Sequence, residues 1–317
     1  MRGLTLRGLK SVAKYEIARE LRKRSIYVLV VLAFLPIPVT LLVKSMIGQE
    51  MLETVKKIAP ILGLDLSRFW AVMMGFENPP PQLAQIMALL HVASLAGMAW
   101  LIAILYGGDL FASDIRDKAI HLLLVRPITR LEYVVAKFAV VTGLLLLLFE
   151  VAGLVLYTCA WILFGEQTGL HEVIGFSALL AISILPLLLT SAAIGAATRN
   201  PLLGMLLGFA VYFASGIIAT IAALAMVPDA LATPEGLAKL QEVAYSINAA
   251  NPYGAGSILG QALYAMMHHE GKIPLALPGL TVEIAAEPLA ATASVTLIIS
   301  TIAFIVLNWA LVTLRDL

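Results

Sequence analysis

The sequence predicts an all-α integral membrane protein, and three observations carry that prediction. Hydrophobic residues make up 61% of the 317 and charged ones only 13%, against about 45–50% and about 25% in soluble domains. Six apolar runs, 26–47, 84–106, 134–164, 173–198, 201–227 and 289–314, reach the length of about 20 residues that a helix needs to cross roughly 30 Å of hydrocarbon. The runs are continuous rather than alternating at period two, which argues against a barrel, the other structure that hides its backbone from lipid.

Two parts follow from this pattern: a basic stretch over 1–25, and a single six-helix transmembrane domain over 26–317 with long connections at 48–83 and 228–288. In the first part Leu6, Leu9, Ala13, Ile17 and Leu21 recur at helical spacing, while Lys10, Lys14, Arg22 and other cations stand mostly elsewhere on the wheel. This is the pattern of a helix lying in the membrane interface, anchored to anionic lipid or forming part of a docking surface for a partner. Six spans place both termini on one side. Of the 21 Lys and Arg, 15 fall on that side: eight before the first run, five in 109–137, Arg199 and Arg315. The positive-inside rule therefore makes the termini and the 109–137 segment cytoplasmic. The acids lean outward, 12 of 20.

A net charge of +1 and the lack of a basic domain exclude nucleic acid as a partner. The single cysteine, Cys159, lies within an apolar run and allows neither an intramolecular disulfide nor a cysteine-rich metal site. The basic amphipathic stretch and the length of the first run argue against a cleavable signal peptide.

The polar segment from Asp109 to Lys137 holds the most distinctive residues. The second span is expected to continue through Gly107-Gly108 into charged sequence, and Pro127 to stop or kink that helix. No capping box is expected at Thr129; Glu132 falls in the first turn of the next helix, where a carboxylate suits the dipole. The segment reads as a helix, a bend at 126–130, and a helix returning through Lys137. A charged connection obeying the positive-inside rule would look similar.

At these residues the sequence resembles the ABC-2 type permease family, the transmembrane subunits of ABC transporters. The resemblance is carried by Asp114-Ile115-Arg116-Asp117-Lys118, Leu122-Leu123-Leu124, Arg126-Pro127-Ile128-Thr129-Arg130 and Lys137. Lys118-Ala119 departs from the Gly-Thr or Arg-Thr common in the family. Less specific likenesses are the tight turn Thr198-Arg199-Asn200-Pro201 and the Asn251-Pro252 pair before the last span. The resemblance implies a homodimeric or heterodimeric permease in the plasma membrane, an exporter. Its 109–137 connection would be a coupling helix seated on a cytoplasmic ABC ATPase, present in two copies, that holds ATP and Mg. Asp114, Arg116, Asp117, Lys118, Arg126, Pro127, Thr129 and Arg130 would form that interface, with Lys10, Lys14, Arg19 and Arg22 of the interfacial helix beside it. The chain has no Gly-x-x-x-x-Gly-Lys-[Ser/Thr] phosphate loop of its own.

Within the membrane Glu150 stands about 13 residues, roughly 20 Å of helical rise, beyond Lys137. Such a group is either a hydrogen-bonded carboxyl or part of a pathway, and the latter supports an alternative: an ATP-independent secondary transporter or channel. His91 fits packing better than ligation. Pro36, Pro38 and Pro186 predict helix interruptions, and Gly204-x-x-x-Gly208 a close helix contact within the chain or between two. The outer connection shows helical patterns over 234–247 and 253–270. Its Met266-Met267-His268-His269-Glu270 run offers soft and imidazole donors, with His268 and His269 as weak metal candidates that helical geometry keeps apart. Nothing in the spans suggests an enzyme active site.

Overall fold

The computed structural model describes residues 6–21, 27, 30–31, 99–116, 129–164, 169–228, 233–268, 271–277 and 280–314. The first expected span apart from helical Tyr27, Val30 and Val31, the second before Ala99, the connection 48–83 and residues 117–128 lie outside them. So do His91, Pro36 and Pro38. Among the described residues four helical stretches are long and apolar enough to cross a membrane: Arg130–Val155, Leu170–Thr198, Pro201–Met226 and Ala286–Leu314. They coincide with expected spans three to six.

The chain order is α1 (Leu6–Glu20), α2 (99–110), α3 (Ala112–Arg116), α4 (Arg130–Phe164), α5 (Leu170–Ser183), α6 (Leu185–Thr198), α7 (Pro201–Met226), α8 (Pro234–Ala250), α9 (Ala255–His268), β1 (Lys272–Leu277), β2 (Leu280–Ala285) and α10 (Ala286–Leu314). Helix α2 runs on through Gly107-Gly108, as its sequence predicts, and turns at Phe111 into α3. Between α5 and α6 a single turn residue, Ile184, marks the expected interruption. Pro186 sits at the start of α6, where its missing N–H costs nothing.

Helix α6 is the axis of the bundle. Every side chain from Leu185 to Ala193 is buried, as expected for a helix apolar all round. It packs between α7 and α10 and touches α3. The α6–α7 turn is built by its residues: Arg199 takes the left-handed conformation that ends α6, and Asn200 accepts hydrogen bonds from Leu202 N (2.9 Å) and Leu203 N (3.5 Å). Pro201 occupies the first helical position. Asn308 of α10, fully buried, donates to the carbonyl oxygen of Leu189 at 3.0 Å and to that of Phe304 at 2.8 Å, tying α10 to α6.

Glycines set the closest helix approach. A Cβ on Gly204 would stand 2.8 Å from Gly195 Cα and 2.9 Å from Gly108 Cα, so α7, α6 and α2 meet backbone to backbone. Gly208 likewise lies against Ser191. The Gly204/Gly208 pair therefore serves packing within the chain.

Beyond the far end of the bundle, α8 and α9 fall where the helical patterns predict. Thr233 caps α8 through Gly236 N (3.0 Å), with Pro234 following. The hairpin β1–β2 is an element the sequence pattern does not predict, and it is the one departure from helix among the described residues. Its antiparallel register pairs Lys272 with Ala285 and Leu277 with Leu280. It exists because Ile273 and Ile284, opposite each other, bury against α9 and the start of α10, in a small core with Ile258, Leu259 and Leu289.

Substitution tests the glycine contact. Gly204→Val should destabilise the chain by at least about 1–3 kcal/mol, the cost of overpacking. Gly143→Ala, where a Cβ meets nothing within 4 Å, should stabilise it by about 0.5–1 kcal/mol. Thermal unfolding in detergent distinguishes the two.

Candidate functional site

Where α1, α3 and α4 meet, five charged side chains lie side by side with little access to water. Glu16 and Lys137 are 0% exposed, Glu20 and Asp114 1%, and the Arg19 side chain 19%. The local causes are simple. On α1, Val12, Glu16 and Glu20 recur at four-residue spacing and form the buried face, while Ile17 and Leu21 of the apolar stripe are exposed, free to face lipid. On α4, Tyr133 and Lys137 are also four apart and point the same way.

Asp114 is the centre. Arg19 from α1 and both Tyr133 and Lys137 from α4 donate to its carboxylate. Lys137 Nζ is also 3.2 Å from the Tyr133 hydroxyl and lies 5.6 Å from the Phe111 ring centroid, within cation–π range. Glu16 holds a looser place, with carboxylate oxygens 3.5 Å from Arg19 Nη1 and 3.8 Å from Lys137 Nζ and, among the described residues, no hydrogen bond to either oxygen. Tyr106 of α2 donates to Glu20 at 2.6 Å. Burial alone would raise the Asp114 carboxyl, but Lys137 and Arg19 outweigh it and hold it below the usual carboxylate range. Glu16 goes the other way: its burial, reinforced by nearby Asp114, exceeds the pull of Lys137 and pushes its carboxyl up.

The far flank of segment 117–128 is fixed as well. Thr129 N donates to Glu132 Oε2 at 2.8 Å and Glu132 N to Thr129 Oγ1 at 3.2 Å, a reciprocal capping box at the start of α4. Glu132 thus does more than favour the helix dipole. Arg130 donates to the carbonyl oxygen of Thr313, near the C-terminal end of α10, where a cation also suits the helix dipole.

The expected interface residues are therefore distributed. Asp114 faces inward and offers no surface to a partner, Arg116 is exposed at the end of α3, Thr129 caps α4, and Arg130 reaches α10. Asp117, Lys118, Arg126 and Pro127 lie outside the described residues, as do Arg22, His269 and the side chains of Lys10 and His268. Lys14 is exposed; Arg19 is built into the cluster. Glu150 is half-buried on α4, among exposed Leu147, Val151 and Leu154. Glu16, Glu20 and Tyr106 were not singled out by the sequence pattern. The available signal was that Glu16 and Glu20, the two acids of the first 25 residues, lie four apart on one flank of the apolar stripe.

Long apolar helices around a buried axis define a multi-pass membrane protein. The family model described as ABC-2 family transporter protein matches residues 10–315, and the chain belongs to that family, the ABC-2 type permeases. They are membrane subunits of transport systems and not themselves catalytic. No curated protein and no solved structure matches the chain significantly.

Two outcomes test the cluster. Lys137→Met leaves buried carboxylates short of a partner and should cost about 3–5 kcal/mol of stability; Lys137→Met with Asp114→Asn should cost clearly less than the sum of the two single changes in thermal unfolding. For Glu16, whose carboxyl is raised in the folded chain above its ordinary 4.5, stability is fully present below the unfolded value and is lost as pH rises through the folded one. Glu16→Gln should therefore gain on the wild type as pH climbs from about 4.5 towards neutral, read as a growing difference in Tm.

Proposed function

We propose that the chain is the permease subunit of an ATP-driven ABC exporter in the plasma membrane, with six spans, both termini cytoplasmic, and a second permease copy as its dimer partner. ATP and Mg are held by a separate cytoplasmic ATPase, and segment 109–137 receives its movement. The observation that carries this reading is the family match over 10–315. The geometry on either side of residues 117–128 supports it. One flank, α3, is held through Asp114 to α1 and α4; the other is capped at Thr129 and joined through Arg130 to α10.

In this mechanism the ATPase pair closes on ATP and displaces both flanks together. Because Asp114 binds α3 to α4, the helices tilt as a body and switch the permease between inward-open and outward-open states. Glu150 needs no role in this cycle, and no observation favours the alternative in which it carries ions without an ATPase.

Charge reversal at Arg126 and Arg130 should abolish copurification of the ATPase, or lower transport-stimulated hydrolysis at least tenfold, while the chain still inserts and elutes as a folded species. Intact copurification and hydrolysis would refute the coupling assignment.

A further inference from the structure

At the end of the bundle opposite α1, a groove of about 460 Å³ runs between the second half of α7 and the turn that follows α8. That volume falls in the range of sites for one small organic molecule, about 300–1,000 Å³. Along α7 the groove extends from Tyr212 to Ile221, about 14 Å of helical rise. Its α7 wall is mostly apolar. Phe213, Ile217 and Ile221 line it; of its three hydroxyl side chains two are occupied by their own helix, Ser215 Oγ on the Tyr212 carbonyl (2.7 Å) and Thr220 Oγ1 on that of Gly216 (2.9 Å), and the third, the Tyr212 phenol, lies at one end of the stretch. Gly216 leaves a gap in this wall, for a Cβ there would meet nothing within 4 Å.

The polar lining is gathered on the other wall. Asn248, in the last turn of α8, uses its Nδ2 on the Ala244 carbonyl (2.9 Å); Asn251, which follows the helix, uses its Oδ1 to accept from Tyr253 N (3.1 Å). Tyr253, whose hydroxyl is 3.0 Å from Thr190 Oγ1, holds this turn against α6. Asn248 Oδ1 and Asn251 Nδ2 make no hydrogen bond among the described residues. One amide acceptor and one amide donor therefore border a groove whose α7 wall is mostly hydrocarbon-like, on a helix long and apolar enough to span a bilayer.

We propose that this groove binds one membrane lipid, its acyl chain laid along Phe213, Gly216, Ile217 and Ile221 and its ester or headgroup hydrogen-bonded by Asn248 and Asn251. The polarity of the site matches that of an amphiphile: an apolar channel continuous with exposed Ile217, Ile218 and Ile221, and paired amides on the facing wall. An aqueous solute would leave the α7 wall unsatisfied, and an alkane would leave the amides so. The proposal rests on the chain being a membrane protein and is independent of ATP coupling, so it can be tested without the ATPase.

The test uses the full chain in lipid nanodiscs containing a phosphatidylethanolamine with a diazirine near the end of one acyl chain, followed by peptide mass spectrometry after illumination. Labelling of residues 212–221 should exceed labelling of an equally exposed control face on α10, Val295 to Ile302, at least fivefold. Gly216→Phe should bring it down to the control level without lowering Tm, and Asn248→Leu with Asn251→Leu should reduce it severalfold. Equal labelling of both helices, or labelling insensitive to both variants, would overturn the proposal. So would a disulfide between two chains through Gly216→Cys, which would make the groove a contact between copies.

Discussion

The arrangement of α1, α3 and α4 depends on the need of one buried carboxylate, Asp114, for donors. A charge that is 1% exposed is tolerable only when paired and hydrogen-bonded. Asp114 meets that need with Arg19 from one helix and Tyr133 and Lys137 from another. No single element can satisfy it. Sliding α1 by one turn would withdraw Arg19, and unwinding the start of α4 would withdraw the other two. Such a cluster contributes less to net stability than apolar residues of the same volume would, because desolvation offsets the attraction. Its effect is positional: it selects one register of three elements and makes the others costly.

The remaining contacts follow from the solvent. In lipid, apolar side chains gain little by leaving the hydrocarbon for one another, so helices hold together by close backbone approach and by polar groups that bridge them. The chain uses both means on α6. Gly195 meets Gly108 and Gly204, and the Leu189 carbonyl receives Asn308. The exposed stripes of α7 and α10, rich in Ile and Leu, are consistent with this, since they need no protein partner where the surrounding medium is as apolar as they are.

What the sequence made legible divides along the same line. Spans three to six could be read because length and composition alone determine them, and Thr198–Pro201 because each residue has a distinct local part in a helix stop and a helix start. The α4 capping box was spelled out by Thr129 and Glu132 at the right spacing but looked like an isolated acid in a first turn. Glu16 and Glu20 resemble the polar flank of any amphipathic helix, and nothing local distinguishes a carboxylate that faces water from one that faces Lys137. The family resemblance puts Asp114 on a docking surface, and nothing local in the sequence shows that it turns inward. The hairpin was hidden because β1, with Pro274 and Ala276, lacks the β-branched pattern that reveals a strand; it is held by packing of Ile273 and Ile284 rather than by propensity.

The cluster also constrains any force applied to segment 117–128, whatever its source. Pulling the two flanks apart would break the bonds of Asp114 to Tyr133 and Lys137 and leave charges unpaired in a dry site, at several kcal/mol. Moving both flanks together breaks none of them. The compliant direction is therefore a common displacement of α1, α3 and α4, and the next resistance is met where α2 touches α6 and α7 through Gly108, Gly195 and Gly204. Backbones in direct contact have no side chains to yield by rotamer change, so they pass on a displacement or separate. A displacement at this end of the bundle is then passed to packed helices further along it, because the stiff contacts among the described residues are few, buried and joined end to end.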